Sequence, residues 1–555
     1  MRMIKKLLHL ETKTINSAAV ILAASSFVSG LLGLFRDRLL ASSFGAGKEL
    51  DIYYTAFRIP DFISMVLIVG SISAAVIPLF SKHLVKSKEE AFRFFGNLLN
   101  AFLFLLVILS IFLITFAPQI LKIIAPGFSE EDLGKTVDLT RIMFLSPLLL
   151  GISNMISGVL RVFKRFIITS LSPILYNLGI IIGILAFVPF WGLSGLAWGV
   201  VLGAFLHFII QIPILFKLGF SPAKSLRFLD PGVIETVKLT LPRTLGLAAT
   251  QINLIVITAI GSTLSAGSIA VFNLANNLQG LIVTFIASSF SVAAFPFLSL
   301  YFSENNRKKF SEEFSSIFKK ILFYIIPASL LMFILRAQIV RIVLGSGRFS
   351  WSDTQLTAAS LGIFSLGIFA FGLSLLISKT FYALHNTRIP ALVAVFSILL
   401  NAAFSFLFIW LMKTENIFSR EVISFLDLRG VEGVLVLALP LALSISGIIQ
   451  FILLLFFIDL KCKEIEVKAL IRFSFKVILA GVALSVVALT ARIFSVGLLD
   501  MKTFWGVFLQ TLSSAVAGSA AYILFSFFLK IGEVAAIKDF VFSKLPKNKN
   551  LSQDY

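Results

Sequence analysis

Apolar runs long enough to cross a bilayer recur along almost the whole of this 555-residue chain, and they leave it few ways to fold. A hydrocarbon core takes about 20 residues of α-helix, and inside it every backbone N–H and C=O must be satisfied by the protein. Only helices and closed barrels meet that demand. A barrel strand would alternate over about 10 residues, and no such alternation is seen. The fold class is therefore an all-α polytopic membrane protein. Hydropathy places about fourteen spans, near 16–41, 50–80, 93–116, 137–160, 166–188, 192–216, 232–260, 267–300, 315–335, 355–384, 389–412, 431–458, 469–494 and 504–529. Hydrophobic residues make up 58% of the chain and charged ones 14%, with a mean hydropathy of +0.99. No soluble domain of this size has that balance. Several runs exceed the bilayer thickness, so tilts or kinks are expected, with Pro60, Pro78, Pro173, Pro242 and Pro390 as candidate positions.

The net charge of +20 would point to nucleic acid in a soluble protein. Here the placement of the charges gives a different reason. With the N-terminus inside, about 30 of the 48 Lys and Arg fall in inside segments, and the bias alternates loop by loop. Both termini are therefore expected in the cytoplasm. The start, MRMIKKLLHLETKT, is basic and amphipathic without a cleavage site, and reads as a short helix on the membrane surface. Cys462 is the only cysteine, so no intrachain disulfide forms. His9, His83, His207 and His385 show no ligand spacing. There is no GxxxxGK[ST] loop, no HExxH and no Ser–His–Asp pattern, so neither an enzyme nor a metal or other cofactor is expected.

The chain repeats itself. SISAAVIPLFS at 71–81 matches SFSVAAFPFLS at 289–299, and PQILKII at 118–124 matches AQIVRIV at 337–343. Both offsets are about 218 residues, or six spans, which keeps the two copies in one orientation. The expected organisation is a cytoplasmic N-terminus at 1–15, an N-lobe at 16–220 and a C-lobe at 221–460. Two further spans at 461–530 and a basic cytoplasmic tail at 531–555 complete it. Substrate sites of such folds lie between the lobes.

One stretch, 29–61, is apolar enough to lie in the bilayer yet carries Arg36, Asp37, Arg38, Asp51, Arg58 and Asp61. A charge at bilayer depth costs about 2.5–3.5 kcal/mol even on the lenient scale, so such residues face a protein interior or a water-filled cavity. Arg38 and Arg58 read as helix-end residues that snorkel to the headgroups. Arg36 and Asp51 read as pathway residues.

The same stretch, GLFRD…FGAG…D…AFRIPD, resembles the MurJ (MviN) family of lipid II flippases, in the multidrug/oligosaccharidyl-lipid/polysaccharide exporter superfamily. Further matching stretches are APGF at 125–128, KRF at 164–166, SPILYN at 172–177, LPRTLGLAATQINLI at 241–255 and FYALHNTRIP at 381–390. The resemblance implies a two-lobe, fourteen-helix transporter of the bacterial inner membrane that works by alternating access. It also implies a cationic cavity for the pyrophosphate of lipid II and a lipid-tail groove by the last two helices. By position, Arg36 matches the required first-helix arginine, Asp51 the required second-helix acid and Ser29 a cavity serine, while Asp61 falls where the family has asparagine. Three family arginines fall at Gly30, Ser64 and Asn277, the last beside Asn276. Arg243 or Arg141 would supply the missing charge. The substrate-binding set is thus Arg36, Asp51, Ser29, Asp61, Arg243, Asn276 and Asn277, with Arg36 and Asp51 expected to form an ion pair in one conformation. The only acids between Glu235 and Glu415 are Glu304, Glu312 and Glu313 in a loop and Asp353, which argues against the sodium site some members hold. The missing arginines motivate an alternative, an exporter of another polyprenyl-linked oligosaccharide of O-antigen or capsule type.

The charge bias makes a topological prediction. In a Cys462→Ala background, cysteines at Lys86, Lys308 and Lys547 should be shielded from an impermeant thiol reagent in intact cells, and cysteines at Glu130 and Asp427 should react. Labelling at Lys308 from outside would overturn the fourteen-span count.

Overall fold

The computed structural model describes residues 15–69, 76–222, 230–414 and 416–534, with side chains throughout except at 15–20, 67–69, 239 and 241–247. The expectations for the N-terminus at 1–14, for residues 71–75 of the repeat and for the tail beyond 534 lie outside the described residues. Secondary structure among the described residues is helical. Among the described residues, ten helices are long and apolar enough to cross a membrane, and an eleventh is added if the pair Trp351–Ser365 and Ile368–Ala383, bent by 47°, counts as one span. The other expected spans, at 16–41, 50–80 and 232–260, coincide with the helix Ile15–Phe44, a segmented run that begins at Lys48, and the helix Pro231–Ser262.

Helix starts follow local chemistry. Ser87 caps Lys88–Thr115 by accepting the N–H of Glu90 at 3.0 Å. Asp230 accepts from Gly232 N at 2.9 Å with Pro231 in the first turn, and Asn306 accepts from Lys309 N at 3.1 Å. The expected kink at Pro60 is present as a break between Lys48–Ala56 and Arg58–Ile63. Proline has no N–H to give the carbonyl four residues back, which is that of Ala56. Thr140 Oγ1 of another helix lies 3.2 Å from that carbonyl, though its single proton has the shorter bond, to Thr136 O at 2.7 Å.

The internal repeat is visible in the backbone. A 28-residue helix followed by an 8-residue one occurs twice, as Lys88–Thr115 with Ala117–Ile124 and as Arg307–Ile334 with Arg336–Val343. A π-helical turn begins at Ser64 and another at Val283, at nearly the same offset as the sequence matches.

By packing, the chain falls into two compact units. One comprises Met1–Asn277, Val343–Ser360 and Ala394–Ser446; the other comprises Leu278–Ile342, Leu361–Val393 and Gly447–Tyr555. This partition follows contacts, whereas the expected lobes follow the repeat. In the first unit, rings of Phe80, Phe92, Phe95, Phe163 and Phe220 meet edge to face or stacked at 5.5–6.1 Å. A buried polar ladder joins Leu145–Val162 to the end of Leu193–Ile209: Gln211 Nε2 donates to Ser153 Oγ at 2.7 Å, and Ser157 Oγ donates to Gln211 Oε1 at 2.9 Å. In the second unit, Tyr522 Oη donates to Phe323 O at 2.8 Å, and Arg492 Nη1 donates to Ile334 O at 2.8 Å, capping the end of a helix.

The helices Phe166–Ile182 and Leu193–Ile209 approach through glycines spaced four apart, Gly179 and Gly183 against Gly195, Gly199 and Gly203. A Cβ on Gly199 would stand 2.7 Å from the Gly183 Cα, so the backbones touch, as at other small-residue interfaces. Gly134 has nothing within 4 Å of the same added atom. Gly199→Ala should therefore destabilise the protein by about 1–3 kcal/mol through overpacking. Gly134→Ala should be neutral or stabilising by up to about 1 kcal/mol. Thermal denaturation in detergent reads both, and equal midpoints would refute the close approach.

Candidate functional site

The charged residues of 29–61 are placed by three helices of the first unit. Ser29 and Arg36 are seven residues apart on Ile15–Phe44, two turns along one face. Arg36 Nε and Nη2 donate to Asp37 Oδ1 at 3.0 and 2.8 Å. Its Nη1 donates to Asn177 Oδ1 at 3.2 Å, on the helix Phe166–Ile182. Asn177 Nδ2 turns back to the Ser29 carbonyl at 3.3 Å and to Ser29 Oγ at 3.2 Å. The second oxygen of Asp37 accepts from Asn277 Nδ2 at 3.0 Å, on the helix Ser268–Ile282. Asp37 is 4% exposed, whereas the Arg36 side chain keeps 24% of its surface open. Sequence reasoning counted Asp37 among the charges and gave it no role; its place two residues before Leu39 in an apolar helix was the available signal.

Asp51 does something else. The expected ion pair with Arg36 is absent in this structure. Asp51 Oδ2 accepts Gly267 N at 2.6 Å and Oδ1 accepts Ala270 N at 2.7 Å, so the carboxylate caps the N-terminus of Ser268–Ile282. The unsatisfied amides and positive dipole end of a helix stabilise an anion without a cation. Gly267 makes the approach feasible: its φ is +89°, and a Cβ there would stand 2.0 Å from the Ala46 carbonyl oxygen. Two further links tie the same end of the first helix into the unit. Arg348 N donates to Ser42 O at 2.8 Å, and Ala46 N donates to Asp353 Oδ2 at 3.3 Å.

Arg58 corrects a second expectation. It does not snorkel; it is 6% exposed. Its Nε donates to Thr258 Oγ1 at 2.7 Å and its Nη2 to Asn273 Oδ1 at 2.8 Å, bridging Pro231–Ser262 and Ser268–Ile282. Position near a helix break suggested snorkelling, but the break lies inside the fold. Asp61 is half-buried, with Arg58 and Arg36 as its charged neighbours. Asn276 is half-buried beside Asn277. Arg243 lies on Pro231–Ser262 and its side chain is outside the described residues. Arg141 pairs loosely with Asp138 at 3.8 Å on its own helix and does not join the Arg36 network. The structure thus brings Ser29, Arg36, Asp37, Asn177 and Asn277 into one network. Asp51 and Arg58 form separate polar ties to the helix that carries Asn277.

Comparison with known proteins gives a consistent picture. The model of the lipid II flippase MurJ family matches residues 40–510. A protein of Buchnera aphidicola subsp. Acyrthosiphon pisum named "Probable lipid II flippase MurJ" is 27% identical over 453 residues, 77% of this chain and 88% of that protein. A protein of the same name from Bdellovibrio bacteriovorus is 26% identical over 482 residues, 85% of this chain and 87% of its own. Among solved structures, a lipid II flippase MurJ in an inward closed conformation matches with a TM-score of 0.73 at 25% identity, covering 92% of this chain and 99% of that one. An inward-facing multidrug resistance MATE family transporter matches with a TM-score of 0.62 at 15% identity over 79% of this chain and 95% of its own, a likeness of fold alone.

The Asp51 geometry makes a graded prediction. Asp51→Ala strands two buried N–H groups at about 1–3 kcal/mol each. Asp51→Asn keeps one acceptor and should lose roughly half as much. The thermal midpoint should therefore fall in the order wild type, Asn, Ala. An Asp51→Ala protein as stable as wild type would refute the cap.

Proposed function

The chain belongs to the lipid II flippase MurJ family, and from that premise we propose how it moves lipid II across the bacterial cytoplasmic membrane. It acts as a transporter and not as a catalyst, by alternating access. The observation that carries the reading is Arg36, a partly open guanidinium within a membrane helix, one edge of which rests on the neutral Asn177 Oδ1, an acceptor that a phosphate can replace. The headgroup of lipid II cannot cross hydrocarbon unaided, because its polar groups would go unsatisfied. A polar path between helices removes that cost. The planar fork of arginine suits the pyrophosphate, and charge-assisted bonds to it are shorter and stronger than neutral ones.

In this scheme Asp37 is a positioning residue. It keeps the guanidinium compensated while no substrate is present, since a buried cation alone would cost several kcal/mol. Ser29 and Asn177 fix the other edge of the fork, Asn276 and Asn277 add uncharged donors, and Asp61 tempers the local field. Arg243 supplies further positive charge. The contact of Asp51 with Gly267 and Ala270 is the closure that must break when the cavity opens to the other side. Membrane potential acting on the moving cavity charge, worth about 2.3 kcal/mol per charge per 100 mV, biases the exchange.

Support for a tail site comes from an apolar cavity of about 230 Å³ in the second unit, lined by Phe318, Leu322, Phe369, Phe451 and Leu470 among others. It touches Val467–Val496, the first helix of the proposed tail groove at 461–530. The alternative of an O-antigen or capsule-type exporter is not favoured, since the family model and the relatives named above carry the lipid II name.

Flipping of labelled lipid II in proteoliposomes tests the assignment. Arg36→Lys keeps the charge and loses the fork, and should slow flipping about tenfold, the equivalent of about 1.4 kcal/mol. Arg36→Ala alone strands Asp37 and should also destabilise the fold. The pair Arg36→Gln/Asp37→Asn removes both charges, so it should fold with a thermal midpoint near wild type and flip at background rate. Wild-type flipping by the double variant would remove Arg36 as the phosphate ligand.

A further inference from the structure

We propose that a basic cleft at one end of the second unit binds the phosphate of an anionic membrane phospholipid, apart from the transport path. Three helix ends converge there. Arg307 opens the helix Arg307–Ile334, Arg388 opens Arg388–Lys413, and Lys461 closes the helix Ala438–Lys461. All three line one cavity of about 470 Å³, together with Phe302 and His385, and no acidic side chain lines it. Among the described residues, none of the three cations meets a carboxylate within ion-pair distance. Successive up-and-down spans put these ends on a single side of the membrane, the side on which the positive bias gathers.

The geometry is that of a prepared anion receptor. The Arg307 guanidinium lies 5.0 Å from the centre of the Phe302 ring, and the His385 ring lies 5.9 Å from the same ring. Stacking on Phe302 fixes the plane of the fork and leaves its N–H edge free for an oxyanion. The N-terminal ends at Arg307 and Arg388 are balanced by the C-terminal ends at Ala383 and Lys461, so the field of the cleft comes from the three side chains. A basic pocket between spans at the headgroup level is the arrangement that suits an anionic lipid. What commits the site to a lipid over a free ion is its surroundings. Leu392, one turn beyond Arg388, and Leu460, next to Lys461, are both exposed apolar side chains, so an acyl chain has a surface directly below the cations. A soluble phosphate would use only the polar half of this site.

Binding of phosphatidylglycerol and phosphatidylcholine to the purified full-length protein in mixed micelles, counted by native mass spectrometry, tests the proposal. Phosphatidylglycerol should bind about tenfold more tightly than phosphatidylcholine, the scale of one good charge-assisted contact. Arg307→Gln/Arg388→Gln/Lys461→Gln should abolish that preference. Thr387→Glu puts an anion on the exposed lining of the same cleft at a helix start, where it does not disturb folding, and should reduce the preference about tenfold. Equimolar inorganic phosphate should leave the lipid bound. The proposal is overturned by equal binding of the two lipids, by a Thr387→Glu protein that binds like wild type, or by displacement of the lipid by equimolar phosphate.

Discussion

An amide stripped of water inside a membrane has no second partner to fall back on, and the first unit is arranged around that constraint. Ser268–Ile282 begins at a point where its first N–H groups are buried, and Asp51 supplies both acceptors they need. A cation there could not do the same work, because the helix end is itself positive. The same logic recurs wherever the backbone departs from regularity. Gly127 N, just beyond the helix Ala117–Ile124, donates to Ser262 Oγ at 3.1 Å. Arg58 reaches side-chain oxygens on two helices, so even a buried charge is held by neutral dipoles. A closure built from hydrogen bonds to neutral groups leaves no unpaired ion on the partner when it opens. On the proposed reading, that suits it to a moving contact better than a buried salt bridge, whose separation leaves two charges to be resolvated.

The two copies of the repeat share one irregularity as well as several helices, while the π-helical segment Gly183–Phe187 has no counterpart in the continuous helix Arg388–Lys413. The π-helical turns at Ser64–Val69 and Val283–Ser288 have unrelated sequences, SMVLIV and VTFIAS. Identical placement with different residues means that helix packing, and not a local motif, selects the extra residue in the turn. Both turns follow the segments that hold the polar residues, Asp51 and Arg58 before the first and Asn273 and Asn277 before the second. Each inserted residue rotates the rest of its span by about 100°, so the polar half and the apolar half of one span can face different neighbours.

Much of this was legible in the sequence. The apolar runs, the offset of the repeat and the break at Pro60 each have a physical cause that acts within a few residues. Family motifs pointed to Arg36, Ser29 and Asn277, which the fold does bring into one network. What could not be read was the partner of each charge. Asp51 is expected to pair with Arg36 in one conformation, and in this structure its partners are backbone N–H groups, which carry no sequence signature. Arg58 was assigned to the membrane surface because it follows a helix break, and only the tertiary fold puts Thr258 and Asn273 within its reach. The glycines of Phe166–Ile182 and Leu193–Ile209 were present as a spacing, but spacing alone does not say which helix faces which.

The charge balance of the network constrains how an anion could enter it. Asn277 offers Asp37 one neutral hydrogen bond and no charge. Asp37 therefore depends on Arg36 for its compensation, and two of the three guanidinium donors that make bonds go to it. Removing Arg36 entirely from Asp37 would leave a buried carboxylate with one amide donor, at a cost of several kcal/mol. The bond from Nη1 to the uncharged Asn177 Oδ1 is longer, at 3.2 Å, and a neutral acceptor contributes about half of what an ionised one does. On the proposed reading, the pyrophosphate displaces Asn177 and leaves the Asp37 edge in place. Arg36 then bridges carboxylate and phosphate, and Asn177 keeps its hold on Ser29 through its other atom. On that reading Arg36 stays tied to Asp37 on its own helix while its other edge exchanges Asn177 for the anion.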